Sequence, residues 1–106
     1  MERQAVFRSA VRADTLWPGE MIGCVVGGHA VLIANVDGTV VAFQDRCAHL
    51  GTPLSAGRLN KDRIVCRAHH WEYDARTGAG VNPKTAALVR YPVDIVNGFI
   101  HVDVDA

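Results

Sequence analysis

Three two-residue turn signals, Gly27-Gly28, Asp37-Gly38 and Asn97-Gly98, stand between runs rich in β-branched and aromatic residues. "EMIGCVV" leads into "HAVLIANV", that run leads into "TVVAFQD", and "YPVDIV" leads into "FIHVDVD". Asp-Gly and Asn-Gly in this setting are the strongest short-range hairpin signals a sequence offers. In "FIHVDVD" apolar and polar residues mostly alternate, as on a half-buried strand, and His101 falls on the polar, solvent-facing phase. No window of helical length carries a 3.6-residue period. "NPKTAALVRY" has room for one turn of helix, limited by Pro92 and its strand-like surroundings. The spacing predicts an all-β barrel or sandwich of about seven to nine strands. The 106 residues fit a single domain over 1–106. A chain of that length buries roughly two-thirds of its unfolded surface, enough for one core.

Composition removes several classes. Eleven basic and eleven acidic side chains give zero net charge, leaving no basic excess for nucleic acid. The first residues, "MERQAVFRSAVRADTLW", are charged throughout and lack the apolar run of a signal peptide. No stretch approaches the roughly 18 apolar residues of a membrane helix. A soluble cytoplasmic protein is the expectation. Three cysteines without an export signal argue against a disulfide framework. Cys24, in the apolar "GEMIGCVVGG", reads as a small buried core residue.

Two segments resist the strand pattern: "RCAHLGTPLSAGRLN" and "CRAHHWEYDARTGAGVNPKT". Long polar loops on a tightly connected scaffold usually carry function. Each opens with a thiol and a nearby imidazole, Cys47-Ala48-His49 in the first and Cys66-Arg67-Ala68-His69 in the second, with residues 50–65 between them. A single zinc with two cysteines and two histidines is the obvious competitor. Zinc fingers, however, usually draw both thiols from one arm and both imidazoles from the other. Here each arm mixes the two, which suits two metals side by side.

The spelling C-x-H, sixteen residues, C-x-x-H resembles the Rieske signature, and "CAHLG" resembles its first half. "LWPGEM", "CRAHHWEYD", "GAGVNP" and "RYPV" resemble segments of the Rieske ferredoxins of multicomponent toluene and alkene monooxygenases. That likeness runs from about Leu16 to the last strand. It implies an antiparallel β-barrel or sandwich with a small cluster-binding subdomain, formed by loops at about 46–58 and 66–84. It implies one Rieske [2Fe–2S] cluster per chain, with Cys47 and Cys66 on one iron and His49 and His69 on the other. His70 is then a solvent-facing neighbour at the loop tip.

The resemblance implies an electron carrier with no substrate of its own. It would pass single electrons from an NADH-dependent flavin and iron–sulfur reductase to a di-iron hydroxylase. Other readings are the ferredoxin component of a ring-hydroxylating dioxygenase, the small Rieske subunit of a nitrite-reductase-like enzyme, and a binding module with structural zinc. The chain leaves no room for the mononuclear-iron catalytic domain of Rieske oxygenases. Respiratory members carry an extra cysteine in each cluster loop; Thr52 and Ala68 stand there, so no bridge is expected.

Family likeness extends to the surroundings of the site. High-potential members place a serine and a tyrosine after the second histidine, both donating to cluster sulfurs. Trp71 takes the serine position and Tyr73 the tyrosine position. We therefore expect a potential in the lower half of the range of about −150 to +300 mV, raised by any bond from Tyr73 to a ligand thiolate. Tyr73 reads equally as a core aromatic with its hydroxyl in water. Gly51 and Gly57 read either as sites of close backbone approach or positive φ, or as ordinary turn residues. Pro53 and Pro83 would stiffen the loops, and "GVNP" would cover the site. Leu50, Pro53, Leu54, His70, Trp71 and Pro83 would form an apolar rim for brief partner contacts. Asp62, Glu72 and Asp74 would orient a basic partner or simply be solvated, and His29 adds no metal chemistry.

Overall fold

One strand, β3 (His29–Val36), is buried on both faces and organises the molecule. A computed structural model describes residues 7–48, 51–68 and 70–105. In it β3 lies between β2 (Met21–Val26) and β4 (Thr39–Gln44), with β9 (Arg90–Tyr91) beyond β4, all antiparallel. Successive β3 side chains point to opposite faces. Leu32, Ala34 and Val36 join Val41 and Phe43 of β4 in one core. Val31 and Ile33 join Ala42 in a second core. A strand covered on both sides needs a continuous apolar run, which explains why "HAVLIANV" does not alternate.

Each core has its own covering sheet. The second is closed by a sheet ordered β1 (Arg8–Arg12), β11 (Phe99–Val102), β10 (Val93–Val96), which supplies Ile100 and Val102. The first is closed by β5 (Arg58–Asn60), β6 (Arg63–Val65), β7 (Glu72–Asp74) and β8 (Gly80–Asn82), which supply Ile64 and Tyr73. The all-β antiparallel architecture and its small added subdomain agree with the expectation. The number of strands does not: the described residues form eleven, against seven to nine expected. The surplus comes from "RLN", "EYD" and "GVN", inside the segments read as loops, and from "RIV", between them. Three residues are too few to show a period, and their pairing depends on partners brought from elsewhere in the chain.

The three turn signals close the hairpins as expected. Both central residues have positive φ in each: Gly27 and Gly28 (56° and 82°), Asp37 and Gly38 (53° and 92°), Asn97 and Gly98 (51° and 80°). That is the twist two-residue hairpins require. "YPVDIV" is not one strand. Pro92, with no N–H to give a ladder, separates β9 in the central sheet from β10 in the covering sheet. The charged N-terminal region contributes the edge strand β1, with a register shift between Ser9 and Val11. No helix forms in "NPKTAALVRY"; 3-10 turns occur instead at Ala13–Thr15 and Leu54–Ala56. No described helix is long and apolar enough to cross a membrane. Cys24 is half-buried rather than in the core, because β2 is an edge strand whose residues pack only partly against the second core.

Candidate metal centre

Cys47 follows β4 and Cys66 follows β6, so the central sheet and the small sheet each deliver one thiol at a strand end. Both are about 1% exposed and lie in the same core with Leu54, Ile64 and Tyr73. Their ladders are replaced by loop bonds: Cys47 N–H donates to the Thr52 carbonyl at 2.8 Å, and Cys66 N–H to that of Trp71 at 2.8 Å. Each loop thus folds back on its own cysteine. The cysteines also meet each other through a hydrogen bond between their side chains.

Burial pushes the Cys66 thiol above its ordinary value, the bond to Cys47 adds to the rise, and the Ala68 N–H works against it. Burial likewise pushes Tyr73 well up, followed by its hydrogen bond to Cys47. The Tyr73 hydroxyl lies 3.3 Å from Cys47 Sγ and accepts the Ala48 N–H at 3.1 Å. It is therefore not in water; the residue is fully buried. Two facing thiols, shielded from water and supplied with N–H and O–H donors, form a donor pair suited to one thiophilic iron. Thiolate charge there would be neutralised by a metal rather than by solvent. The donor set fits an iron–sulfur group on its sulfur side. His49, Leu50 and His69 lie outside the described residues.

The other expected neighbours are placed as follows. Gly51 has φ +76°, and its N–H donates to the Cys47 carbonyl at 3.0 Å. Gly57 has φ −87°, so it is not needed for a left-handed turn. A Cβ there would sit 2.1 Å from the Val65 carbonyl oxygen, and that close approach explains the glycine. Pro53 and His70 are exposed, the latter with φ +56°, while Trp71 and Pro83 are half-buried. "GVN" of the covering segment is β8, beside β7. Leu54 is a correction: it is fully buried in the first core and cannot belong to a partner rim. The 3-10 turn it begins points it inward.

Two residues went unnoticed in the sequence. Asp45, just before the first loop, accepts both the N–H (2.8 Å) and the hydroxyl (2.5 Å) of Ser55, at the loop's far side. Gly23 on β2 makes space for the pair, since a Cβ there would be 2.5 Å from Ser55 Oγ and 2.9 Å from Asp45 Oδ2. Nothing in the one-dimensional spacing of Asp45 and Ser55 signals this clamp. Asp45 also raises the Cys24 thiol, after burial, by its negative charge.

Comparison with known proteins agrees with this geometry. The family description "Rieske [2Fe-2S] domain" matches residues 7–92. The chain is 35% identical over 86 residues to the ferredoxin component of the alkene monooxygenase system of Xanthobacter autotrophicus, covering 80% of this chain and 70% of that one. It is 34% identical over 91 residues to the ferredoxin component of biphenyl 2,3-dioxygenase of Rhodococcus jostii, covering 85% of each. Among solved structures, the ferredoxin of carbazole 1,9a-dioxygenase from Nocardioides aromaticivorans superposes with a TM-score of 0.83 at 26% identity, covering 92% of this chain and 97% of that one. A complex of reduced oxygenase and oxidised ferredoxin in carbazole 1,9a-dioxygenase gives 0.84 at 26% identity, covering 94% of each chain.

Proposed function

Because this chain belongs to the Rieske [2Fe-2S] domain family, we propose that it is a one-electron carrier feeding an oxygenase, with Cys47, His49, Cys66 and His69 as its cluster ligands. The cofactor is one Rieske-type [2Fe–2S] cluster. The observation that carries the reading is the pair of buried, facing thiols at the ends of β4 and β6, within a chain related to oxygenase ferredoxins. His49 and His69 complete the set by their place in the two arms.

When bound, the group supplies a one-electron couple: two ferric ions, two sulfides and two thiolates sum to zero, so reduction leaves a single negative charge. The chain's own residues prepare the place for that charge. Tyr73 aims its hydroxyl at Cys47, and Ala68 aims its N–H at Cys66. Leu54 and Ile64 exclude water from the sulfur side. The Asp45–Ser55 clamp holds the first loop closed. Fixed donors and a shut loop keep the surroundings nearly the same in both redox states, which favours fast transfer.

The electron source is an NADH-dependent flavin and iron–sulfur reductase, and the acceptor is the di-iron hydroxylase of an aromatic or alkene monooxygenase system. The relative from Xanthobacter favours that assignment. A ring-hydroxylating dioxygenase is the second reading, favoured by the relative from Rhodococcus and the carbazole dioxygenase ferredoxin. Purified protein should contain equal iron and acid-labile sulfide. Cys47→Ser and Cys66→Ser should lose both, and Cys24→Ser should keep them. A zinc-loaded, colourless protein would end the carrier reading. Turnover reconstituted with each oxygenase class in turn separates the two assignments.

A further inference from the structure

An arginine adjoins each buried cysteine, Arg46 before Cys47 and Arg67 after Cys66. Both are exposed. A third, exposed Arg58 opens β5 and is paired across the ladder with Val65. Arg58, Arg67 and His70 line one cleft of about 250 Å³ whose wall includes Cys66. Arg46 lines a second hollow, of about 220 Å³, with Cys47 and Ala48. Ion pairs among the described residues use Arg8, Arg12 and Arg63, and none uses these three arginines.

Acidic groups offset them only in part. Asp45, next to Arg46 and lining a hollow with it, keeps its negative charge while accepting both bonds from Ser55. Glu72, paired with Val65 on β7, is the one strand carboxylate nearby among the described residues, and it does not line the cleft. Asp62 pairs with Arg63 at 3.5 Å and Asp74 holds the Arg76 N–H, both at the end of β6 and β7 away from Cys66. These acids therefore do not form the patch for a basic partner that their charge suggested. The chain is neutral overall, yet three arginines, Arg46, Arg58 and Arg67, stand at its cysteine end against two carboxylates, Asp45 and Glu72, an excess of one positive charge.

We propose that Arg46, Arg58 and Arg67 make the cysteine end a docking face for the acidic surface of a redox protein partner. The inference rests on the carrier reading above and adds the polarity of the partner. Arginine suits the role because its planar, weakly hydrated fork pairs with carboxylates bidentately and loses little on desolvation. A local cationic field around the electron's exit raises encounter rates with an acidic partner and aligns it.

Small ions of opposite charge test the sign of that field. Reduced holoprotein gives one electron to hexacyanoferrate(III), an anion, or to a tripositive cobalt(III) polypyridyl complex. Rates are followed by stopped flow from about 10 mM to about 0.3 M ionic strength, spanning strong and weak screening. Reduced holoprotein carries a net charge of about −1 on the count above, so overall charge alone would make the anion's rate rise with salt. The docking face requires the reverse: the anion's rate falls several-fold with salt and the cation's rises. Arg58→Gln with Arg67→Gln should flatten the anion's slope, and Lys61→Gln, in the β5–β6 turn, should leave it unchanged. Binding of redox-inert hexacyanocobaltate(III), read from its cobalt NMR linewidth, should weaken in the same double variant. An anion rate that rises with salt, or is indifferent to the double variant, overturns the proposal while leaving the carrier reading intact. A chain that takes up no iron or sulfide overturns the carrier reading, and this inference with it.

Discussion

The hydroxyl of Tyr73 and the sulfur of Cys47 lie 3.3 Å apart, and the same hydroxyl accepts the backbone N–H of Ala48 at 3.1 Å. Either group can donate while Cys47 is a thiol, but a metal-bound thiolate has no proton to give, so in the holoprotein the phenolic proton would turn toward the sulfur. Charge-assisted bonds of this kind strengthen as the acceptor gains negative charge. Tyr73→Phe should therefore make the midpoint potential more negative by tens of millivolts, where about 59 mV corresponds to a tenfold change for one electron. Protein-film voltammetry checks it, and an unchanged midpoint would show that the contact does not act on the redox centre.

The clamp between Asp45 and Ser55 closes the first loop with two bonds from one carboxylate. Removing a part-buried charged acceptor leaves two donors unsatisfied, at a cost of about 1–3 kcal/mol. Asp45→Ala should lower the denaturation midpoint and speed iron loss to a chelator. Asp45→Asn keeps one acceptor oxygen and should fall between. Equal chelation rates in all three proteins would mean that the loop is held by other contacts.

Two glycines separate crowding from backbone strain. A Cβ at Gly57 would meet the Val65 carbonyl oxygen at 2.1 Å, and backbone cannot easily yield. At Gly28 a Cβ meets nothing within 4 Å, although φ is +82°. Gly57→Ala should cost more than about 2 kcal/mol, and Gly28→Ala only about 1 kcal/mol. Chemical denaturation of both variants decides; matching losses would contradict the crowding argument.

Tyr91, about 5% exposed in the second core, has its phenol pushed above the ordinary value by burial. The native state then keeps its proton where the unfolded chain gives it up. Stability on this account is complete below about pH 10, the unfolded value, and is lost as pH climbs from there through the folded value. Tyr91→Phe should decline less steeply over that alkaline range. Tryptophan fluorescence during urea titration at stepped pH provides the measurement, and parallel curves would refute it.

Much of the scaffold was readable along the chain. The Asp37-Gly38 and Asn97-Gly98 hairpins follow from backbone preferences two residues wide, and each mixed arm of the site holds its cysteine and its histidine within four residues. β1 escaped because its arginines suit an exposed edge, where charge is an asset and an apolar pattern is not needed. Leu54 was misassigned to the rim because an apolar residue in a polar loop carries no mark of which way a 3-10 turn will face it.

Local chemistry, written in order along the chain, determined the strand-turn alternation and the pairing of each thiol with an imidazole a few positions away. Folding alone decided that Cys47 and Cys66 share one dry core, that Tyr73 reaches across 26 positions to a sulfur, and that Asp45 locks Ser55. Turn and strand preferences act between immediate neighbours and leave a trace in the spacing of residues. Contacts between sheets depend on how three layers stack, and no spacing of letters encodes which side chains meet there.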